Sequence, residues 1–198
     1  MPRAKNPLKP PRALDPSGQL VIVLDGGPVD DSDKKPRSRT YEIVGENFAT
    51  DIFPVVVGSK VEIKNKGRKS PRLTSPTHPD IVPGDPINKS GVRVTEAIAK
   101  VGAPVEIRDA DSVHLVGHIV AFEHGYFALP DYTGNFSIEG VPPGSWKVKV
   151  WYRDGWLPIP ETTVNVVAKR GAKGVKVKIP AKLPAPKTAA PAEKGSAQ

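Results

Sequence analysis

Cysteine is absent from all 198 residues. Disulfides, thiolate zinc sites, iron–sulfur clusters and thiolate–copper centres are excluded together, because each needs the Cys sulfur. The absence leaves the compartment open. Missing too is any apolar run near the ~20 residues that a membrane-spanning helix requires. No apolar h-region lies ahead of Gly18, so the N-terminus does not read as a signal peptide as written. Long runs of Ala, Leu and Glu at helical spacing do not occur. G-x-S-x-G, H-E-x-x-H and a phosphate loop are all lacking, which removes the commonest hydrolase, metalloprotease and nucleotide-binding signatures. The chain is expected to be no enzyme and to carry no cofactor.

What is present is turn-forming. Twenty-three prolines and 18 glycines point to many turns and some extended length rather than to helices. The net charge is +8. Residues 1–17 carry Arg3, Lys5, Lys9 and Arg12 against Asp15, a net of +3, and residues 181–198 carry Lys182, Lys187 and Lys194 against Glu193, a net of +2. The tails thus hold five of the eight charges. A modestly basic body with basic tails is only weak evidence for nucleic acid, which is not the expected partner, and suits an anionic polymer, an envelope surface of anionic lipid or cell-wall polymer, or an acidic protein partner equally well. Residues 1–17 read as a disordered, basic, Pro-rich arm and residues 181–198 as a disordered Ala-, Pro- and Lys-rich tail.

Between the tails, short apolar or alternating runs recur at roughly ten-residue spacing. GQLVIVLDGG (18–27), TYEIVGENF (40–48), FPVVV (53–57), KVEIKN (60–65), GVRVTEAIA (91–99), PVEIRDA (104–110) and the run from His114 read as strands. In SWKVKVW, Trp146, Val148 and Val150 alternate with Lys147 and Lys149, which predicts a half-buried strand with a basic outer face. TTVNVV (162–167) and KGVKVKIP (173–180) predict a last hairpin around Lys169–Ala172. About nine to eleven short strands and no confident helix make an all-β sandwich.

Three blocks carry a family likeness. ENFATDIFPVVVGSKVEIKNKG, then VEIRDADSVHLVGHIVAFEHGYFA, then GNFSIEGVPPGSWKVKVW together resemble the plastocyanin-like cupredoxins, in particular the methylamine-utilisation-protein-like group. The last block is also similar to carboxypeptidase-regulatory, prealbumin-like β-domains. The resemblance implies a cupredoxin-like Greek-key sandwich over residues 18–122. Residues 123–180 would add prealbumin-like strands, within one continuous domain or beside it. It further implies a copper site of two imidazoles, a thiolate and a weak axial ligand. In this chain those four positions fall on Pro71, Asp109, Ser112 and Leu115. The expectation is therefore a copper-free structural or binding module, a subunit or accessory of a larger periplasmic or extracellular assembly, with the cytoplasm as the alternative.

Other residues offer competing sites. His114 and His118 are four apart; on a strand that spacing puts them about 13 Å from each other, too far to share an ion. With His78 they are the candidates for a non-thiolate copper or zinc site in a metal-handling or electron-transfer protein. His124 precedes the Y-F-A segment and is expected to be structural. Asp109 and Asp111, about 6.6 Å apart on a strand, are within reach of paired-carboxylate chemistry. Asp30, Asp31 and Asp33 form an acidic loop that Lys34 and Lys35 neutralise. Lys66, Arg68, Lys69 and Arg72 form a basic loop suited to a polyanion. Trp151, Tyr152 and Trp156 offer an aromatic platform for a sugar or a protein, unless the segment RDGWLPIP folds back and buries Trp156.

Overall fold

The computed structural model describes residues 17–168, 174–179 and Leu183. The expected basic arm, the Lys169–Ala172 turn and nearly all of the C-terminal tail lie outside the described residues. Thirteen strands are present among the described residues: β1 (Leu20–Asp25), β2 (Arg39–Val44), β3 (Asn47–Phe48), β4 (Ile52–Val56), β5 (Val61–Asn65), β6 (Leu73–Thr74), β7 (Val92–Val94), β8 (Val105–Asp109), β9 (Val116–Phe122), β10 (Phe127–Ala128), β11 (Gly144–Tyr152), β12 (Gly155–Trp156) and β13 (Thr163–Val166). The only helical pieces among the described residues are single 3-10 turns at Ser17–Gln19 and Pro79–Ile81. The fold is all-β.

The strands form three sheets. Sheet B has the order β3-β2-β5-β7, with β2 and β5 parallel. Sheet C has the order β4-β9-β8-β6, with β4 and β9 parallel. The chain passes back and forth between the two, and their facing sides share one core that includes Tyr41, Ile43, Val61, Ile63, Ile107 and Ile119. Sheet A is antiparallel, with the order β10-β1-β11-β12 and β13 also on β11. One face of sheet A packs on the outer side of sheet C through Val21, Val23, Ile52, Val120, Phe122 and Trp151. Its other face carries Leu20, Ile22, Trp146, Val148 and Val150, and is covered by Phe136, Ile138, Val175 and Val177.

This layering explains the hydrophobic patterns. β5 has a dry side in Val61 and Ile63, and Glu62 and Lys64 are half-buried on the other side, as its alternation predicts. β1 and β4 are apolar at nearly every position because both of their faces are covered. β11 alternates over its first half and then buries Trp151 and Tyr152 on opposite faces. The pairing of β1 with β11 places residues 20–25 in the sheet of the C-terminal segment, across the boundary expected at 122/123.

One strand turns against the direction of its apolar side chains, and one expectation is corrected. The valines of GVRV face outward, with Val92 40% and Val94 46% exposed on the edge strand β7. The inward group is Thr95, whose hydroxyl accepts from the Val61 N–H at 3.0 Å and donates to the Glu96 carbonyl. Among the described residues, the expected hairpin of 162–167 with 173–180 is not formed. β13 pairs with β11 instead, and residues 174–179 pack Val175 and Val177 on that sheet without strand pairing.

Arg39 ties the layers together. Its guanidinium lies 5.0 Å from the Phe53 ring centroid in sheet C and 5.5 Å from that of Phe127 in sheet A, and donates to the Pro54 carbonyl at 2.6 Å. Arg39 itself belongs to sheet B. Arg39→Met keeps the apolar stem but removes the cation and its hydrogen bond. It is expected to destabilise the chain by about 1–2 kcal/mol in urea unfolding, and Arg39→Lys, without the planar fork, by a similar amount.

Candidate functional site

The positions where the family likeness places metal ligands gather at one end of the B–C sandwich. β5 ends at Asn65, a fully buried amide. Its Nδ2 donates to the Lys69 and Ile87 carbonyls, each at 2.7 Å, and its Oδ1 accepts from the Gly67 N–H at 2.8 Å. One side chain thereby satisfies three backbone groups and fixes the loop from Lys66 to Arg72. The carbonyl of Pro71 accepts from the Ile87 N–H. The Arg72 N–H donates to Asp109 Oδ1 at 3.0 Å, and the Ala110 N–H returns a bond to the Arg72 carbonyl. The Asp109 N–H reaches the Leu115 carbonyl at 3.0 Å, closing the loop from Asp109 to Leu115.

The structure thus brings Pro71, Asp109 and the loop through Ser112 to Leu115 side by side. None of them offers what copper needs. Leu115 is buried in the sandwich core and has no donor atom. Asp109 is engaged with backbone N–H groups, and the Ser112 hydroxyl accepts from His114 N–H. This donor set does not fit a blue-copper ion.

The histidines do not converge. His118 lies on β9 opposite Ile52 and Glu106. His114 is exposed in the turn before β9, which corrects the expectation that both sit on one strand. His78 hydrogen-bonds Thr77 in the long irregular segment. Among the described residues no group of three or more His, Asp or Glu side chains could hold a metal ion.

The Asp109–Asp111 pair is also differently employed. Asp111 lies beyond β8 and grips Arg72 bidentately, at 2.9 and 2.8 Å. The Arg72 guanidinium holds the Asp111 carboxyl below the usual range. Of the acidic loop, Asp33 accepts from the Tyr126 hydroxyl and Asp31 pairs with Lys34, so it is a fastened loop.

Three of the four cations of the basic loop are paired. Lys66 meets Glu42 at 2.6 Å, Lys69 meets Glu46 at 2.7 Å and Arg72 meets Asp111. The Lys69 ammonium pulls the Glu46 carboxyl down, and Glu46 in return raises Lys69. Arg68 has no ion pair among the described residues. The aromatic platform is corrected more sharply. Trp151 is 2% exposed and Tyr152 is buried on the other face of sheet A. Trp156 alone of the three is open, at 47%, edge-on to Trp151 at 5.1 Å with Lys149 5.5 Å from its ring centroid. It is therefore not buried by RDGWLPIP either.

A pocket that sequence reasoning did not identify opens between sheets C and A. Gln19, Asp51, Ile52, Val116, His118, Arg153 and Asp154 wall about 310 Å³. Its members come from four separate stretches of chain. The one local signal was Arg-Asp-Gly after a β-run, which marks a turn but not what the turn faces. No family model matches the chain, and neither a curated protein nor a solved structure matches it.

His124, placed here as structural, is buried against Tyr126 and Trp146. Its Nδ1 accepts from the Tyr126 N–H at 3.3 Å, so a proton on that atom would face another proton. Burial pushes its pKa down, against smaller opposing pulls from Asp25, Glu123 and Asp33.

Two outcomes are expected here. Asn65→Ala orphans two carbonyls and an N–H, and should cost about 2–4 kcal/mol in urea unfolding. Because His124 is harder to protonate folded than unfolded, the unfolded chain binds more protons below its ordinary value of about 6.5. Stability should then fall as pH drops from about 7.5 to 5.5, and His124→Gln should flatten that slope in thermal melts.

Proposed function

We propose that the chain is a non-catalytic, copper-free binding or structural module, built as a cupredoxin-like Greek-key sandwich with a prealbumin-like sheet added. Two facing four-stranded sheets with repeated crossings between them support the sandwich reading. The observation that carries the functional reading is the use made of the four ligand positions. Pro71 and Asp109 stitch backbone to backbone, Ser112 braces a turn and Leu115 fills the core. A site given over to holding loops together has no open coordination position and no water-excluded donor set.

The same module reading assigns the protein to a larger extracytoplasmic assembly. Support comes from Val92 and Val94, which stand outward on the edge strand β7, with Val44 also exposed on sheet B. Edge strands with exposed β-branched residues are natural surfaces for pairing with another chain. The metal-handling alternative needs converging imidazoles, and the polyanion alternative needs unpaired cations. Within the basic loop only Arg68 meets that requirement.

The test is metal analysis of the purified full chain after incubation with Cu(I) and with Cu(II), followed by gel filtration. Retained copper well below one equivalent per chain is expected. Stoichiometric copper that survives the column overturns the proposal.

A further inference from the structure

Along β9 successive side chains alternate between faces. Leu115 and Gly117 turn toward the sandwich core, where a methyl on Gly117 would collide with Tyr41 and Phe48. Val116 and His118 turn the other way, toward sheet A, and wall the 310 Å³ pocket with the beginning of β4, Gln19 and the β11–β12 turn. This pocket is separate from the closed ligand positions on the opposite face of sheet C.

Tyr152 pairs with Gly155, so Arg153 and Asp154 are the two turn residues. Arg153 has φ +52°. Gly, Asn or Asp is the usual occupant of such a position, and a long side chain is strained there. Three bonds hold it. Its N–H donates to the Gln19 carbonyl at 3.2 Å, its Nε to Gln19 Oε1 at 2.8 Å, and its carbonyl accepts from Trp151 Nε1 at 2.9 Å. Gln19 in turn donates to Asp51 Oδ2 at 2.7 Å. The guanidinium is thus anchored through Nε and lies 5.4 Å from the Tyr152 ring centroid, and its two terminal nitrogens make no hydrogen bond among the described residues. The imidazole of His118 has none either, while its backbone N–H is fixed to the Asp51 carbonyl at 2.9 Å.

Strain retained at a pocket wall, with donors aimed but unused, is the pattern of a preorganised ligand site. The walls also select the ligand. The Arg153 fork calls for a carboxylate, which it can take bidentately. Asp51, which spends one carboxylate oxygen on Gln19, repels a dianion and calls for a cation. A bare ammonium leaves the guanidinium unanswered, and a bare carboxylate leaves Asp51 unanswered. The volume lies at the small end of ligand cavities, which begin near about 300 Å³. We propose that this pocket binds a small zwitterion of amino-acid size. Its carboxylate would lie on the terminal nitrogens of Arg153 with His118 as second donor, and its ammonium on the remaining oxygen of Asp51.

Titration of the full chain with L-alanine, propionate and ethylammonium, followed by the NMR signals of the His118 ring and Arg153 Nε–H, tests this. L-Alanine should shift both signals saturably. Each half-ligand should bind roughly tenfold or more weakly, as expected for loss of a charge-assisted contact. Asp51→Asn, which keeps the acceptor for Gln19, should weaken L-alanine by a similar factor and leave propionate unchanged. Arg153→Gly should abolish the shift of the His118 ring signal. The proposal is overturned if propionate binds as tightly as L-alanine, if L-alanine causes no saturable shift, or if Asp51→Asn binds it as the wild type does.

Discussion

β4 and β9 lie between two other sheets, and neither of their faces meets water over most of its length. Every other feature adapts to that condition. A strand covered on both sides must be apolar at consecutive positions, and it can keep polar residues only at its ends. β4 therefore reads IFPVV and carries Pro54 at the sheet edge, where a missing N–H is tolerated. The guanidinium of Arg39 closes that edge by bonding the Pro54 carbonyl. The candidate positions are found near the strand ends of sheet C: Asp109 and Leu115 toward one face, and Asp51 and His118 toward the other.

The same constraint separates what was readable in the sequence from what was not. Half-buried strands announce themselves by alternation, and β5 and the first half of β11 were legible for that reason. Doubly buried strands give only a short apolar run, which names no partner. Nothing in GQLVIVL says that β1 pairs with β11, more than a hundred residues away. Val92 and Val94 alternate correctly but face outward, because Thr95 supplies a hydroxyl that a valine in its place would not. The added C-terminal strands were expected; that β1 joins them in a third sheet packed on sheet C was not, since pattern alone does not reveal how many layers lie above a strand.

For the candidate sites, adjacency was more legible than role. Counting from sequence landmarks placed Pro71, Asp109, Ser112 and Leu115 in one neighbourhood, and the chain does bring those segments together. What those residues do there depended on hydrogen bonds between loops 37 residues apart. The aromatic platform failed for a simpler reason: adjacent strand residues point to opposite faces, so Trp151 and Tyr152 could not both be open once sheet A was covered on both sides. The Arg153 pocket was invisible because its key bond joins residues 134 positions apart.

The two ends of this logic differ in how they treat polar groups. At the closed ligand positions, each polar atom on Asn65 and the gripping oxygen of Asp109 answer backbone groups that the loops would otherwise leave unpaired, so side-chain chemistry there is consumed by folding. On the far face of sheet C, one backbone turn accepts an unfavourable φ at Arg153, whose guanidinium is held by its Nε on Gln19 and lies over the Tyr152 ring. A purely structural turn has no reason to keep that arrangement, since Gly or Asn makes the same hairpin at lower cost. The capacity for recognition in this fold therefore sits at the junction of sheets C and A, where β1 joins strands that pattern reading could not assign to it.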